Sequence, residues 1–368
     1  MFNLSYGETM LVALLVAAAC SFAATPLVKK AAYRLGAIDV PKDNRRMHKK
    51  PIPRMGGLAI YIAFMLGTLL FAELDQQLKS ILMGATIIVV LGVMDDCMTL
   101  RASFKFLVQI FAAWLVADSG CTIQYITNPI SASADPYLNF GFLSVPVTII
   151  WIVAITNAVN FIDGLDGLAV GVSAISAATL MVIALMLAEY NIALIMIVLL
   201  GACLGFIPYN FNPARIFMGD TGSTFLGFIL ASLSIKGMFK MYTIISFAVP
   251  FLILGVPIFD ICFAIIRRVA HGQNPMQADR GHIHHRLIDM GFSQKQAVTI
   301  TYILTAFLGL AAVVLTSSGE EKTLVFIAAI FVVGAIGIKL VFAQPHPKAP
   351  IEEKKPKEEL EEDVHEKV

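Results

Sequence analysis

The sequence predicts an all-α fold, a polytopic membrane bundle of about 11 transmembrane helices with the N-terminus outside and the C-terminus cytoplasmic. Three observations predict it. Of 368 residues, 58% are hydrophobic and 14% are charged, and the mean hydropathy of +0.78 is far above that of an ordinary soluble globule. The apolar residues come in runs close to the roughly 20 residues that a helix needs to cross a bilayer core of about 30 Å. The basic residues then fall on alternate connections: 23 of the 27 Lys and Arg lie on one side if the N-terminus is outside.

Taken in order, the runs are these. Residues 8–28 form the first, and no small-residue cleavage site or soluble domain follows, so it reads as a retained helix. The connection to 55–72 carries nine Lys and Arg between Lys29 and Arg54, the strongest inside signal in the chain. Residues 80–94 end in "GVMDDCMTL", and 104–119 follow Arg101. Residues 143–161 end in "NAVNFIDGLDGLA", which leads into 168–188. Residues 191–209 and 222–239 are joined by "IPYNFNPARIFMGDTGS". Residues 242–266 precede "DRGHIHHRL", and 296–316 and 322–343 complete the membrane domain, residues 1–343. The remainder, 344–368, mixes proline with dense charge and reads as a disordered cytoplasmic tail. Five cysteines without CxxC spacing suggest neither a disulfide framework nor a metal knuckle.

The polar clusters at these junctions all fall on the face that the basic residues mark as cytoplasmic. Acids and histidines played no part in that assignment, so their coincidence there points to one site. Asn157, Asn160, Asp163 and Asp166 step by three, a stripe down one helix face, and Gly164 and Gly167 let backbone approach a ligand. Asp95 and Asp96 repel each other at the unfavourable end of a helix dipole; a bound Mg²⁺, a raised carboxylate pK, or Arg101 and Lys105 would each compensate. Asp220 precedes a helix start among small residues, which suits either a hard cation bridging phosphates or a simple N-cap. His282, His284 and His285 lie between Arg280 and Arg286, and the arginines favour phosphate contact or proton handling over a transition metal. Lys49 and Arg54 belong to a cationic stretch that serves the positive-inside rule or attracts a lipid phosphate. A transporter would place its acids at mid-span, whereas these cluster at helix ends on one side. No nucleic-acid partner is indicated.

"PIPRMGG", the paired aspartates, "TNAVNFIDGLDGLA", "YNFNPARIFMGDTGS", "GVPIFDICFAIIRR" and "HIHHRL" together resemble the polyprenyl-phosphate N-acetylhexosamine-1-phosphate transferase superfamily over nearly all of residues 25–320. The histidine loop is similar to the WecA and TagO branch, and less to MraY, whose loop has a run of consecutive histidines. The resemblance implies transfer of GlcNAc-1-phosphate from UDP-GlcNAc to undecaprenyl phosphate with Mg²⁺ (or Mn²⁺ substituting), an early membrane step of a teichoic-acid or O-antigen type polysaccharide. It implies a plasma-membrane enzyme with its site on the cytoplasmic face. Carried over residue by residue, Asn160 and Asp220 would hold the metal. Asp95 and Asp96 would act near the attacking lipid phosphate, and Asp166, Asn210 and Phe217 would recognise uracil, with Asp163 supporting them. Asn157 joins them as a substrate contact, and His282, His284, His285 and Arg280 would meet the sugar or its phosphate. Lys49, Arg54, Arg101 and Lys105 would attract the lipid phosphate. An enzyme of the MraY type using UDP-MurNAc-pentapeptide is the nearer rival. A bundle of this kind admits a homodimer, and no residue pattern marks an interface.

Overall fold

The structure is a computed structural model and describes residues 5–40, 51–127, 137–238, 245–270 and 282–317, with four single positions between 328 and 335. The expected span 322–343, the tail 344–368, Lys49 and Arg280 lie outside the described residues, the span but for those single positions.

Twelve α-helices account for about four-fifths of the described residues. α1 (Tyr6–Leu35) opens with a capping box between Ser5 and Glu8 and closes on Gly36 at φ 74°, the left-handed cap that glycine adopts without strain. α2 (Gly57–Phe71), α3 (Gln76–Met98), α4 (Ala102–Asp118), α5 (Ser144–Ile162), α6 (Leu168–Met186), α7 (Tyr190–Asn210) and α8 (Gly219–Met238) follow the expected runs. Among the described residues, six helices are long and apolar enough to cross a membrane: α1, α3, α5 with its preceding turn, α6, α7 and α12 (Gln294–Thr316); α2 is a shorter apolar helix. The protein is therefore an all-α membrane protein.

The expected single span 242–266 is two helices, α9 (Ile245–Ile253) and α10 (Gly255–Ala270). Pro257 lacks the N–H that would continue the ladder, and Gly255 weakens the same turn, so the apolar run breaks between them and Leu254. A hydropathy ruler sees one run here because the break changes geometry and not polarity. α11 (Ile283–Asp289) is a short helix carrying the histidines, and two small hairpins, β1–β2 (Ile38–Asp39 with Ile52–Pro53) and β3–β4 (Tyr125–Thr127 with Tyr137–Asn139), link helices.

α8 is the hub. It packs on α2, α3, α5 and α6, and its Thr221, Ser223, Ser232 and Ser234 are all buried. Small residues allow this: a methyl group on Gly57 would strike the backbone of Gly222, and one on Gly92 would strike Thr221. Backbone contact of this kind is how helices associate where lipid removes the hydrophobic drive. At the far end of α8, buried Lys236 pairs with Asp75 and bonds Gln77, whose amide donates to Gly120 O at 3.1 Å. The first turn of α8, with Asp220, is thereby held where the C-terminal ends of α3, α5 and α7 converge.

Candidate active site

The polar residues at that convergence surround a cavity of about 830 Å³. Its central wall is Asp96 from α3, Asn160 and Asp163 from the end of α5, and Gly219 and Asp220 from the start of α8. The cavity is further lined by Asp166, Asn210, Asn212, Phe217 and Gln294, and by Lys29 and Tyr33 of α1, Asp39, Arg54 and Arg215.

Asp96 works across helices. Its Oδ1 accepts from Asp220 N–H at 3.1 Å, and Oδ2 accepts from Thr221 N–H at 3.1 Å and from the Thr221 hydroxyl at 2.6 Å. A carboxylate from α3 therefore caps the N-terminus of α8, where the N–H groups of a helix start want an anion. Arg54 Nε stands 3.3 Å from Asp96 Oδ1. Arg54 is brought there by the backbone: Phe217 N–H donates to Pro53 O, and Gly56 and Gly57 N–H donate to Phe217 O and Met218 O, so the two segments run like paired strands. Met55 between them is buried at φ 90°, a conformation that costs a non-glycine residue and that the surrounding contacts must hold.

Asp95 is compensated differently. Its Oδ1 accepts from Leu100 N–H at 2.6 Å, and Lys105 Nζ donates to Asp95 Oδ2 at 3.0 Å and to Asp220 Oδ2 at 2.9 Å. Lys105 is the cation that lets these carboxylates sit close, while Arg101 stands exposed at the start of α4 and outside the residues lining the cavity. Asn160 Nδ2 donates to Asp220 Oδ1 at 3.1 Å and to Ser223 Oγ at 2.8 Å. Asp220 and the amide carbonyl of Asn160 are hard oxygen donors beside a cavity open to phosphate and water, the set that Mg²⁺ takes; the residues fit that ion.

Of two further expected contacts, Asn157 lies outside the main cavity and Asn210 lines it with its amide already engaged. Asn157 donates to Gln109 Oε1 at 2.7 Å and to Val153 O at 2.8 Å, and faces a separate cavity of about 20 Å³, shared with Asp95, Lys105 and Asp220. That volume suits about one water molecule, so Asn157 braces the α4–α5 seam behind the main cavity. Asn210 is buried with both ends of its amide engaged: Oδ1 accepts from Gly167 N–H and Nδ2 donates to Ile216 O. It ties the turn after α5 to the segment before α8. Tyr302 of α12 fastens the same turn by donating to Gly167 O at 2.5 Å, and Gly167 takes φ 81° there. Asp166 Oδ2 accepts from Asn212 Nδ2 and Ala214 N–H, which ties it to the segment before α8.

Asp163, just past the end of α5, is pushed up to about 8 by burial and by the negative charges of Asp220, Asp96 and Asp166. In the metal-free protein this favours the neutral acid at neutral pH, with a hydroxyl beside the cavity. The unfolded chain ionises this group near 3.8 and the folded chain near 8, so the native state holds more protons and loses stability as pH rises between those values. In metal-free detergent solution, Asp163→Asn should therefore lose part of the wild-type fall in melting temperature between pH 4.5 and pH 8. An identical slope in the variant would contradict this ionisation.

The three histidines separate. His285 lines the cavity, whereas His284 is 3% exposed and lies against Gly164. Burial, with His285 and His282 beside it, drives His284 down to about 3, so it carries no charge at any working pH. The expectation that all three meet the sugar or its phosphate is corrected for His284, which packs, whereas His285 lines the cavity. A methyl group at Gly164 would overlap the His284 imidazole. Gly164→Ala is expected to cost about 1–3 kcal/mol through overpacking, measured by thermal unfolding, and to lower activity by displacing the histidine turn. Unchanged stability would show that the ring has room to move.

Reading the sequence missed Lys29, Tyr33, Arg215, Asn212 and Gln294 as cavity residues, and missed Gln109, Tyr302 and Asp260 behind them. For Gln109 and Asp260 a signal existed, a polar residue inside an apolar run.

Fold and site together define a polytopic helical membrane protein whose acidic and basic groups meet in one cavity at one end of the bundle. Residues 78–238 match the model of glycosyl transferase family 4. The chain is 43% identical over 310 residues to the probable undecaprenyl-phosphate N-acetylglucosaminyl 1-phosphate transferase of Bacillus subtilis, covering 83% of this chain and 86% of that one. It is 33% identical over 357 residues to the decaprenyl-phosphate N-acetylglucosaminephosphotransferase of Mycolicibacterium smegmatis (89% and 87%). It is 30% identical over 292 residues to the undecaprenyl-phosphate alpha-N-acetylglucosaminyl 1-phosphate transferase of Salmonella typhi (77% of each). The chain belongs to glycosyl transferase family 4, on its WecA and TagO side.

Proposed function

We propose that the protein transfers GlcNAc-1-phosphate from UDP-GlcNAc to undecaprenyl phosphate in a Mg²⁺-dependent reaction, giving undecaprenyl-pyrophosphoryl-GlcNAc and UMP. The names of the relatives support a polyprenyl-phosphate acceptor and a GlcNAc-1-phosphate group. The observation that carries the chemistry is the meeting, in one cavity, of the Asp220 and Asn160 oxygens with the cations Lys29, Arg54 and Arg215. Such a place suits a pyrophosphate, which needs cations on its oxygens and a hard ion between them.

In the reaction an oxygen of the lipid phosphate attacks the sugar-bearing phosphorus of the donor. A new P–O–P link forms, the bond to the bridging oxygen of UMP breaks, and UMP leaves with the electron pair. A phosphate monoester has its second pK near 6 and is already a competent nucleophile at neutral pH, so the chain must chiefly align two anions and relieve their repulsion. Lys105, placed between Asp95 and Asp220, supplies positive charge on the α4 side, and Arg54 does so on the other. Mg²⁺, or Mn²⁺ in its place, held by Asp220 and Asn160, would supply Lewis-acid charge to the pyrophosphate oxygens. Asp163 donates a hydrogen bond as a neutral acid, Phe217 presents a ring face to uracil, and Asp166 presents its second oxygen to the base. Direct attack needs no carrier between donor and acceptor. The charge distribution further supports eleven spans and a cytoplasmic site, and a polyprenyl-phosphate acceptor suits a plasma-membrane location.

The reading is tested by offering purified protein UDP-GlcNAc and, in parallel, UDP-MurNAc-pentapeptide, each with undecaprenyl phosphate and Mg²⁺. Release of UMP with UDP-GlcNAc alone is expected; release with the pentapeptide donor instead would replace the donor assignment.

A further inference from the structure

Asp260 is 2% exposed in the apolar run of α10, and none of the chemistry above uses it. A carboxylate in such surroundings is costly unless its oxygens are occupied. Both are. Oδ1 accepts from the backbone N–H of Ile283 at 2.6 Å, and Oδ2 lies 2.8 Å from Nδ1 of His282.

Each contact has a local reason. Ile283 begins α11, and its N–H is one of those that a helix start leaves unpaired. His282, the N-cap residue, makes no side-chain capping bond of its own, so the cap comes from α10 instead. The second oxygen then faces the His282 ring. A carboxylate only accepts, which places a proton on Nδ1 and, in the neutral ring, leaves the lone pair on Nε2. The ring is further confined by stacking. Its centroid lies 5.8 Å from Phe161 at an interplanar angle of 22°, and 5.9 Å from His284 at 7°; His284 in turn lies 4.3 Å from His285. The line of histidine rings begins at His282, held by Asp260, and ends at His285, the member that lines the cavity.

We propose that Asp260 is a positioning residue: it fixes the tautomer and orientation of His282 and, through the stacked histidine turn, the placement of His285 in the cavity wall. The activity readout rests on the phosphosugar transfer proposed above; the tautomer readout does not.

The test uses the full-length protein in detergent with ¹⁵N-labelled histidine, the His282 signals being assigned by their loss in His282→Gln. In wild type, Nδ1 of His282 is expected to be protonated; an unprotonated Nδ1 overturns the proposal without any variant of Asp260. Asp260→Asn keeps an oxygen for the Ile283 N–H but turns an NH₂ toward Nδ1, which reverses the tautomer. The same variant is expected to lower kcat by about 10–100-fold, the usual cost of losing a histidine's orienting partner. In the His282→Gln background it should cost nothing further, because the two residues act as one unit. Losses that multiply in the double variant would assign Asp260 a structural role and overturn the proposal, as would an unaltered tautomer in Asp260→Asn. A wild-type protein that releases no UMP from UDP-GlcNAc would defeat the proposed function and leave the tautomer result to judge Asp260 by itself.

Discussion

Replacing Asp220 by asparagine is expected to lower turnover by roughly 10³-fold or more, about 4 kcal/mol of barrier, while leaving the protein folded in detergent. Asp220 is where the two halves of the site meet. Its Oδ1 accepts from Asn160 and its Oδ2 from Lys105, and it begins the helix around which the bundle packs. The amide keeps the shape of the side chain and removes its charge, so the Asp220–Asn160 pair proposed to hold Mg²⁺ loses its one carboxylate. Folding survives because Lys105 keeps Asp95 as a partner, and α8 keeps its cap from Asp96. Turnover and thermal unfolding, measured on the same preparation, separate the two effects. A wild-type rate in Asp220→Asn would remove the metal assignment.

Asp96→Ala should produce the larger loss of stability. The Asp220 N–H, the Thr221 N–H and the Thr221 hydroxyl lose their acceptor together, and Arg54 loses its nearer carboxylate. Asp96 is 5% exposed, so little water replaces it. Breaking a buried, hydrogen-bonded charge of this kind costs about 3–5 kcal/mol. The effect is read as a fall in the detergent unfolding temperature, with activity lost in parallel because the first turn of α8 carries Asp220. A variant as stable as wild type would mean that α8 is capped by other groups and that Asp96 serves only the substrate.

These two aspartates, adjacent in sequence, show what sequence reading captures and what it does not. That "DD" forms part of a site was legible, because two acids at the end of an apolar run are costly without a purpose. That Asp96 caps α8, and that Lys105 reaches Asp220 as well as the nearby Asp95, depends on partners more than a hundred residues away. The same division runs through the fold. Hydropathy located the helices from α1 to α8 because lipid demands long apolar runs, yet it merged α9 with α10, whose break is set by Gly255 and Pro257. In the stripe from Asn157 to Asp166, spacing placed the four residues on one side of a helix. Asn157 sits nearly a full turn deeper than Asn160 and meets Gln109 instead of the cavity. The histidines looked equivalent in "HIHH", but a helix turns about 100° per residue, which sends His284 inward against Gly164 and leaves His285 at the cavity. Cavity residues on α1, Lys29 and Tyr33, read simply as part of the positive-inside signal or of a span end.

Attack at phosphorus and transfer of the sugar alone are separated by following two labels at once. Purified protein is given UDP-GlcNAc carrying ³²P in the sugar-bearing phosphate and ³H in the sugar, together with undecaprenyl phosphate and Mg²⁺. Both labels should enter the lipid phase in equal amounts, with UMP as the nucleotide released. Tritium in the lipid without ³²P, accompanied by UDP, would mean transfer of the sugar alone and would contradict attack at phosphorus.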